Sequence, residues 1–193
     1  MGAGKRYSFI ENILKEYCDK PGWRVLEIGA GGAVYKDMFM EYIGTDLAGN
    51  PYGERGDLVA YCDAQKIPFK GGSFDMAFVV AALYQIPDAS DVLDEVRRVL
   101  RPGGFFLIFD YNEMTTKRLK RAERGGENQN QVWSPNELKR LATERGFKAV
   151  VLNHYRYYPP SGSRMLQCMK RSRIYHWARN RMREDWNVIV ARK

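Results

Sequence analysis

The sequence has little cysteine and little histidine, the residues on which disulfide frameworks and many metal centres depend. Its 193 residues include three cysteines and two histidines. Cys18, Cys62 and Cys168 lie far apart and fit neither a disulfide framework nor the spacing of metal ligands. We therefore expect free thiols and no bound metal.

Long apolar runs are also missing. No stretch approaches the roughly 18 apolar residues that a transmembrane helix needs. Residues 1–6 lack the apolar core of a signal peptide. These absences predict a cytoplasmic protein with no membrane-spanning segment.

The composition indicates one globular unit with an uneven charge. Hydrophobic residues make up 45% of the chain, enough for one core but not for two, so we expect a single domain over residues 1–193. Residues 1–111 carry 12 basic and 16 acidic side chains, whereas residues 112–193 carry 19 basic and 7 acidic ones. The basic half is either a surface for an anionic partner or a solvated face.

Apolar periodicity predicts strands and helices in alternation. Helices are expected within residues 5–20, at 33–41, along the apolar stripe of residues 92–100, and after the capping box Ser134-Pro135-Asn136-Glu137. Strands are expected at residues 24–29, 42–46, 58–62, 74–81, 105–110, 148–152 and 187–191. This alternation predicts an α/β fold with a parallel, doubly wound sheet, which binds ligands at the carboxyl ends of its strands.

Three segments depart from the simple alternation. About ten residues separate Asp46 from the third strand, too few for a full crossover helix, so a reduced connection is expected there. Residues 111–132 are polar and aperiodic, which is typical of a mobile connection or lid. A basic, aromatic insert over residues 154–186 separates the last two strands.

The insert is the most basic part of the chain. From Arg164 to Arg183 it holds seven basic residues and no acidic one, with tyrosine and tryptophan interleaved or adjacent. Such a segment can hold a phosphorylated or carboxylated acceptor, a lipid headgroup, or RNA through phosphate contacts and stacking. A basic cap helix is an equal alternative.

A glycine-rich turn follows the first predicted strand, in the run Val25-Leu26-Glu27-Ile28-Gly29-Ala30-Gly31. Glycine lets a ligand approach the backbone closely because it has no Cβ. A dinucleotide fingerprint counted from Gly29 would need a third glycine at position 34, where Val34 stands, and this weakens an NAD assignment. Asp46 follows 17 positions after Gly29, at the end of the second strand, where a carboxylate accepts hydrogen bonds from a ribose diol. Asp46 as a turn cap is the alternative.

Further motifs follow in a fixed order along the chain. They are Tyr42-Ile43-Gly44-Thr45-Asp46, then residues 62–69 running into Ser73-Phe74-Asp75, then residues 93–104, and finally residues 133–147. Together with the glycine turn, this series resembles the class I S-adenosylmethionine-dependent methyltransferases. It is most similar to the subgroup of the ubiquinone and menaquinone biosynthesis enzymes and many small-molecule methyltransferases. The resemblance spans most of residues 25–152 and implies a Rossmann-like sheet of seven strands, mostly parallel with an antiparallel last strand.

The resemblance also implies roles for individual residues toward S-adenosylmethionine and its product S-adenosylhomocysteine. Glu27 would anchor the methionine amino group or order the glycine turn, and Asp46 would hold the ribose hydroxyls. Asp63 would accept a hydrogen bond from the adenine amino group. The other implied cofactor contacts are Gly29, Ala30, Gly31, Leu47, Ala64 and Ala81.

Each of these roles has a simpler alternative. Glu27 could be only a loop anchor, and Asp63 only a helix or turn cap. Ala33 stands where the family usually has a third glycine, which tightens the turn. The short link between the second and third strands weakens the expected wall beside the adenine.

Four side chains near predicted strand ends are candidates for catalysis. Methyl transfer mainly requires alignment of the acceptor and exclusion of water, although an alcohol acceptor also needs a base. Tyr84 follows the fourth strand, Asp110 and Tyr111 follow the fifth, and His154 follows the sixth. An ordinary structural or surface role is the alternative for His154.

Three functions agree with these patterns. The first is O- or N-methyl transfer to an anionic or aromatic small molecule, such as a sugar, lipid or natural-product intermediate. The second is RNA methylation through the basic half, and the third is cofactor binding without turnover. The segment 82–88 lacks the Asn/Asp-Pro-Pro-aromatic signature that some families use to grip a planar amino group, which disfavours adenine and cytosine as acceptors.

Overall fold

A computed structural model describes most of the chain, in six stretches. These are residues 7–18, 20–48, 60–86, 88–112, 133–157 and 184–193. The description covers the backbone but not the side chains of residues 149, 152, 154, 156, 157 and 184. No helix in these stretches is long and apolar enough to cross a membrane.

The described part of the chain contains three α-helices and seven β-strands. The helices are α1 (Ser8–Tyr17), α2 (Ala89–Val99) and α3 (Pro135–Glu144). The strands are β1 (Arg24–Ile28), β2 (Glu41–Asp46), β3 (Ala60–Tyr61), β4 (Phe74–Val80), β5 (Leu100–Tyr111), β6 (Lys148–Tyr157) and β7 (Glu184–Arg192). Short 3-10 turns lie at Lys36–Met38 and Leu83–Gln85.

All seven strands form one sheet, in the order β3-β2-β1-β4-β5-β7-β6. The first five strands are parallel, and β7 runs antiparallel between β5 and β6. The strand order reverses between β1 and β4, which is the switch point where such sheets bind ligands. The predicted Rossmann-like sheet, with its antiparallel last strand, is confirmed.

Two apolar cores cover the faces of the sheet. On one face, buried side chains of α2 and α3 pack on alternate residues of β1, β4, β5 and β7. On the other face, α1 packs through Ile10, Ile13 and Leu14 on the remaining residues of the same strands. Both faces of every central strand are buried, and successive side chains point to opposite faces. This explains why the sequence of each central strand is a nearly continuous apolar run.

Capping residues determine where two helices begin. The Asp88 side chain accepts the Ser90 backbone N–H at 2.8 Å at the start of α2. At the start of α3, Ser134 and Glu137 form the predicted capping box, with Pro135 in the first turn. The predicted end of α3 before Gly146 is confirmed as well.

Several predicted boundaries were wrong. The helix expected at residues 33–41 is reduced to turns and the 3-10 turn Lys36–Met38. Strand β5 starts at Leu100 rather than at residue 105, because Leu100 already pairs with Phe74 of β4. The register between the two strands then shifts, and regular pairing resumes at Phe105. Strands β6 and β7 are both longer than expected, so residues 154–157 and 184–186 of the predicted insert belong to β6 and β7.

The other predicted segments lie partly or wholly outside the described residues. The N-terminal helix predicted within residues 5–20 is present as α1. Tyr111 ends β5, and residues 113–132 of the predicted lid are not described. The same holds for residues 49–59, the predicted reduced connection, and for 158–183, the remainder of the predicted insert.

Candidate functional site

The chain leaves β1 in a tight turn at the carboxyl edge of the sheet. Gly29, Gly31 and Ala33 have φ angles of +63°, +52° and +49°. This left-handed region costs a residue with a Cβ roughly 1–2 kcal/mol, so Ala33 carries strain that the two glycines avoid. A Cβ built on Gly29 would lie 2.5 Å from the Ala82 Cβ, so this turn passes directly against the segment that follows β4.

Asp46 ties the glycine turn to the end of β2. Its Oδ2 accepts the Gly31 backbone N–H at 2.7 Å, and its Oδ1 accepts the Leu47 backbone N–H at 2.8 Å. The Ala30 N–H donates to the Thr45 carbonyl at 2.9 Å. Asp46 is 7% exposed, so the carboxylate that orders the turn is nearly buried. Its role toward the ribose hydroxyls stays a prediction.

Glu27 lies in the middle of the sheet beneath this turn and is 2% exposed. Burial raises the pKa of its carboxyl group to about 8, the Asp46 charge adds to the rise, and a hydrogen bond from the Tyr42 hydroxyl opposes it. This hydrogen bond depends on the absence of a side chain at Gly44, where a Cβ would lie only 2.8 Å from the Tyr42 hydroxyl oxygen. Glu27 is thus mostly protonated near neutral pH.

Asp63 caps a turn after β3. Its Oδ1 accepts the Gln65 N–H at 2.9 Å, and its side chain is otherwise exposed at the sheet edge. The Cys62 N–H donates to the Asp46 carbonyl at 2.9 Å, which joins this turn to the end of β2. Ala64 is half-buried and packs against the core. The adenine role of Asp63 and Ala64 stays a prediction.

Two large apolar side chains are exposed at the same edge. Leu47, which follows β2, and Tyr61, the last residue of β3, are both 58% exposed. Tyr61 is the register partner of Asp46, the neighbour of Leu47. Exposed apolar area beside a polar turn is typical of a surface that packs on a ligand.

The end of β4 forms the opposite side of the glycine turn. Ala81 has a φ of +50° and donates its N–H to the Phe109 carbonyl at 2.8 Å. Its own carbonyl accepts the Gln85 Nε2 at 3.3 Å. Ala81 is held in a strained conformation by these bonds, a feature that clusters at functional sites.

Three of the four catalytic candidates gather beside Ala81. Tyr84 lies in the 3-10 turn after β4, and its ring centroid is 5.7 Å from that of Tyr111. Asp110 and Tyr111 are the last two residues of β5, not residues beyond it, so their side chains lie on opposite faces of the sheet. His154 also lies inside its strand, β6, as the register partner of Asn187, and its side chain is outside the described residues.

Asp110 is the most buried of these candidates, with 1% of its surface exposed. Its Oδ1 accepts the Tyr111 backbone N–H at 2.9 Å. Burial raises the pKa of its carboxyl group to about 7, against the opposing effect of the backbone N–H groups of Tyr111 and Tyr84. A carboxylate with a pKa near neutrality suits a general base.

Sequence reasoning missed several residues of this region. Tyr42 lies in one of the motifs but has no predicted role of its own. The hydrogen bond from its hydroxyl to Glu27 depends on the pairing of β2 with β1. Trp133 and Asn187 received no role, yet an Asn187 Nδ2–Trp133 carbonyl bond of 3.4 Å joins them beside Asp110. One signal was present for Asn187, since it is a polar residue in an otherwise apolar strand run. Within the described residues no three metal-ligating side chains cluster.

Comparison with known proteins agrees with this geometry. Residues 26–108 match the family described as Methyltransferase domain. The chain is 31% identical over 111 residues to the ubiquinone/menaquinone biosynthesis C-methyltransferase UbiE of Nitrosospira multiformis. The aligned segment covers 49% of this chain and 46% of that protein. It is 42% identical over 57 residues to the sterol 4-C-methyltransferase strm-1 of Caenorhabditis elegans, covering 30% of this chain and 17% of that protein. The chain thus spans less than half the length of these two relatives.

Solved structures show the same fold. The YcgJ protein of Bacillus subtilis superposes with a TM-score of 0.69 at 18% identity, over 97% of this chain and 99% of that one. Phosphoethanolamine N-methyltransferase 2 of Haemonchus contortus, in complex with S-adenosyl-L-methionine, gives a TM-score of 0.68 at 20% identity, over 97% and 52%. With the family match, these findings confirm the resemblance to class I S-adenosylmethionine-dependent methyltransferases.

Proposed function

We propose that this chain, whose residues 26–108 belong to the methyltransferase-domain family, transfers a methyl group from S-adenosylmethionine to a small-molecule acceptor. The observation that carries this proposal is the position of Asp46, a buried carboxylate at the end of β2 whose Oδ2 accepts the N–H of Gly31 in the glycine turn. The other product of the reaction is S-adenosylhomocysteine.

The described residues fit this cofactor. Neither Gly29 nor Gly31 has a side chain of its own to obstruct the cofactor, and Asp46, which accepts the Gly31 N–H, would bind the ribose hydroxyls. Leu47 is exposed where an adenine ring needs apolar area. Glu27 would bind the amino group at the methionine end of the cofactor. Ala81 would contribute backbone contacts to that same end.

The cofactor supplies a methyl group already activated by a positively charged sulfur. The chain's own residues therefore need to orient the acceptor and exclude water. Tyr84 and Tyr111 lie beside the end of β4, and the Tyr111 ring centroid is 4.3 Å from that of Trp186. This edge-to-face and tilted cluster of aromatic rings supports an aromatic or otherwise planar acceptor.

The acceptor is proposed to be anionic or aromatic, as a sugar, lipid or natural-product intermediate would be. The excess of basic residues after residue 111 supports an anionic group on it. The relatives act, by their names, on quinone precursors and sterols, and one structural neighbour on phosphoethanolamine. All of these are small molecules, which supports the acceptor's size class.

Two measurements test the function. Calorimetry should detect binding of S-adenosylhomocysteine, and transfer of radiolabelled methyl groups from S-adenosylmethionine into a cellular metabolite extract should exceed that of a no-enzyme control. The Asp46→Ala variant should fail in both. Absence of S-adenosylhomocysteine binding to the wild-type chain overturns the proposal, whereas binding without methyl transfer into any fraction supports a binding protein without turnover.

RNA methylation is the second candidate, because residues 112–193 carry 19 basic and 7 acidic side chains. An RNA fraction belongs in the same radiolabel experiment. An affinity for RNA that falls steeply with salt, together with label in that fraction, would favour this candidate. Absence of RNA binding at low salt excludes it.

A further inference from the structure

Three buried polar atoms near the end of β5 make no hydrogen bond within the described part of the chain. They are Asp110 Oδ2, Asn187 Oδ1 and Trp133 Nε1. Asp110 is 1% exposed and Asn187 is fully buried. An unpaired buried oxygen costs free energy, and a carboxylate oxygen costs more than an amide oxygen. Such atoms point to a ligand group that completes them.

Two of these atoms, Asp110 Oδ2 and Asn187 Oδ1, belong to one cluster. Asp110 and Asn187 are register partners on the antiparallel strands β5 and β7, so their side chains leave the sheet on the same face. The Asn187 Nδ2 donates to the Trp133 carbonyl at 3.4 Å, which joins the Trp133 backbone to this cluster. Trp186 Nε1 is also unpaired, but this neighbour of Asn187 lies on the opposite face.

The cluster adjoins the proposed site of methyl transfer. The Ala81 N–H donates to the carbonyl of Phe109, the residue before Asp110. The backbone N–H of Tyr84 faces the Asp110 carboxylate. Ala82, which lies between Ala81 and Tyr84 in the chain, packs against the glycine turn at Gly29. The unpaired atoms therefore lie next to the segment proposed to contact the methionine end of the cofactor.

The donor and acceptor pattern of the cluster specifies a complementary ligand group. Its two unpaired oxygens are acceptors, so the matching group carries hydrogens, as an amine or a hydroxyl does. We infer that Asp110 and Asn187 bind the proton-bearing nitrogen or oxygen that receives the methyl group, and that Asp110 takes its proton. This inference rests on the proposed function and narrows its acceptor to amines and hydroxyl compounds.

The proton and charge balance of the reaction agrees with this role. The lone pair of the acceptor nitrogen or oxygen forms the new bond to the methyl carbon, and the electron pair of the broken carbon–sulfur bond stays on sulfur. The acceptor atom becomes positively charged and loses its proton to the ionised Asp110 carboxylate. A carboxyl group whose pKa burial has raised to about 7 accepts that proton more readily than an ordinary one.

Paired probes test the inference without knowledge of the acceptor. S-adenosylhomocysteine carries no group in the methyl position, whereas sinefungin places an ammonium group there. In wild-type protein we expect sinefungin to bind more tightly than S-adenosylhomocysteine. Asp110→Asn should lower the ratio of the two affinities about tenfold, because a buried charged partner is lost, and should change S-adenosylhomocysteine binding by less than about threefold.

One further variant keeps the test decisive if Asp110→Asn does not fold. Asn187→Leu removes an unpaired acceptor and should lower the affinity ratio about threefold, as expected for a neutral hydrogen bond. Trp133→Phe removes only a donor, which an ammonium group cannot accept, and should leave the ratio unchanged. Asp75→Asn is the matched control. The Asp75 carboxylate also accepts a backbone N–H, that of Arg24 at 2.9 Å, but at the opposite edge of the sheet. Its affinity ratio should equal that of wild type.

The outcomes separate the two proposals. A wild-type affinity ratio in the folded variants of both Asp110 and Asn187 overturns the inference and leaves the proposed function standing. Failure of both probes to bind the wild-type protein overturns the proposed function itself. Loss of both affinities together in the folded variants also contradicts the inference, because it indicates a structural role for the cluster.

Discussion

Asp46 Oδ2 and the backbone N–H of Gly31 lie 2.7 Å apart, and this hydrogen bond joins the end of one strand to the turn after its neighbour. The second oxygen of the same carboxylate accepts the Leu47 N–H. The residue proposed to hold the ribose is therefore also the residue that shapes the turn. Its loss should affect both binding and stability.

Asp46→Asn tests this double role. Whichever way the new amide is oriented, its NH2 group faces either the Gly31 or the Leu47 N–H, so one backbone donor loses its acceptor. We expect S-adenosylhomocysteine to bind at least about tenfold more weakly and the free energy of unfolding to fall by roughly 1–3 kcal/mol. Calorimetry and urea unfolding measure the two effects. Asp75→Asn should lose stability alone, and equal binding by Asp46→Asn and wild type would contradict the assignment.

Gly29→Ala should close the glycine turn. The new Cβ would lie 2.5 Å from the Ala82 Cβ, at a φ of +63° that alanine rarely adopts. We expect a loss of roughly 2–4 kcal/mol in the free energy of unfolding and no measurable cofactor binding.

Two control variants separate the clash from the backbone strain. Gly72→Ala has a similar φ of +68° but no atom within 4 Å of its Cβ, so it should cost stability without affecting binding. Adding Ala82→Gly to Gly29→Ala removes the contact and should restore part of the stability. No restoration in this double variant would show that the clash is not the cause.

Glu27 should make stability fall as pH rises. Its pKa is about 8 in the folded chain, above the ordinary value of 4.5, so the folded state binds more protons than the unfolded state between these values. The free energy of unfolding should therefore decrease from about pH 4.5 to about pH 8 and level off above it. Asp110, with a pKa raised from 3.8 to about 7, acts in the same direction.

In Glu27→Gln, the fall in the free energy of unfolding between about pH 4.5 and about pH 8 should be smaller by a few kcal/mol. The amide does not titrate, and its oxygen still accepts a hydrogen bond from the Tyr42 hydroxyl. Urea unfolding at a series of pH values gives the slope. The exposed Glu144, substituted in the same way, should leave the profile unchanged. A slope in Glu27→Gln as steep as that of wild type would mean that Glu27 titrates normally.

Cofactor binding should release a proton near pH 7. Glu27 is mostly protonated in the free chain, and an ammonium group bound beside it favours the ionised form. We expect calorimetric enthalpies of S-adenosylhomocysteine binding to depend on the ionisation enthalpy of the buffer, with release of up to about one proton. Glu27→Gln should abolish this dependence, and a buffer-independent enthalpy in wild type would argue against contact between Glu27 and the amino group.

Leu47→Ser should weaken binding without weakening the fold. Leu47 is 58% exposed, so its side chain contributes little to the core but is available to pack on adenine. We expect S-adenosylhomocysteine affinity to fall about three- to tenfold from the lost apolar contact, and the free energy of unfolding to change by less than about 0.5 kcal/mol. Val151→Ser, 46% exposed on β6, is the control and should change neither quantity. Unchanged affinity in Leu47→Ser would place adenine elsewhere.

Much of the site could be found from the order of residues along the chain. Gly29, Gly31, Asp46, Asp63 and Ala81 all lie at the ends of predicted strands or within two residues after them. Since the carboxyl ends of parallel strands meet at one edge, residues in these positions gather whatever the details of packing. The capping box of α3 is equally local, because its bonds span only three residues.

Partners from strands distant in sequence could not be found in this way. Tyr42 reaches Glu27 only because β2 pairs with β1 in a register that puts Gly44 opposite Glu27. Asp110 and Asn187 are far apart in the chain and meet because β7 inserts antiparallel beside β5. The ends of β5, β6 and β7 were also misjudged, because strand length depends on the neighbour that supplies hydrogen bonds.

The sequence by itself determined the class of fold, the edge of the sheet that carries the candidate site and the glycine turn at which that candidate site begins. These follow from local backbone preferences and from apolar periodicity, both of which act over a few residues. Only the tertiary structure decided which carboxyl groups are buried, and hence that Glu27 and Asp110 have raised pKa values. Burial and pairing arise from contacts between strands that lie far apart in the chain, and no local pattern encodes the register in which those strands meet.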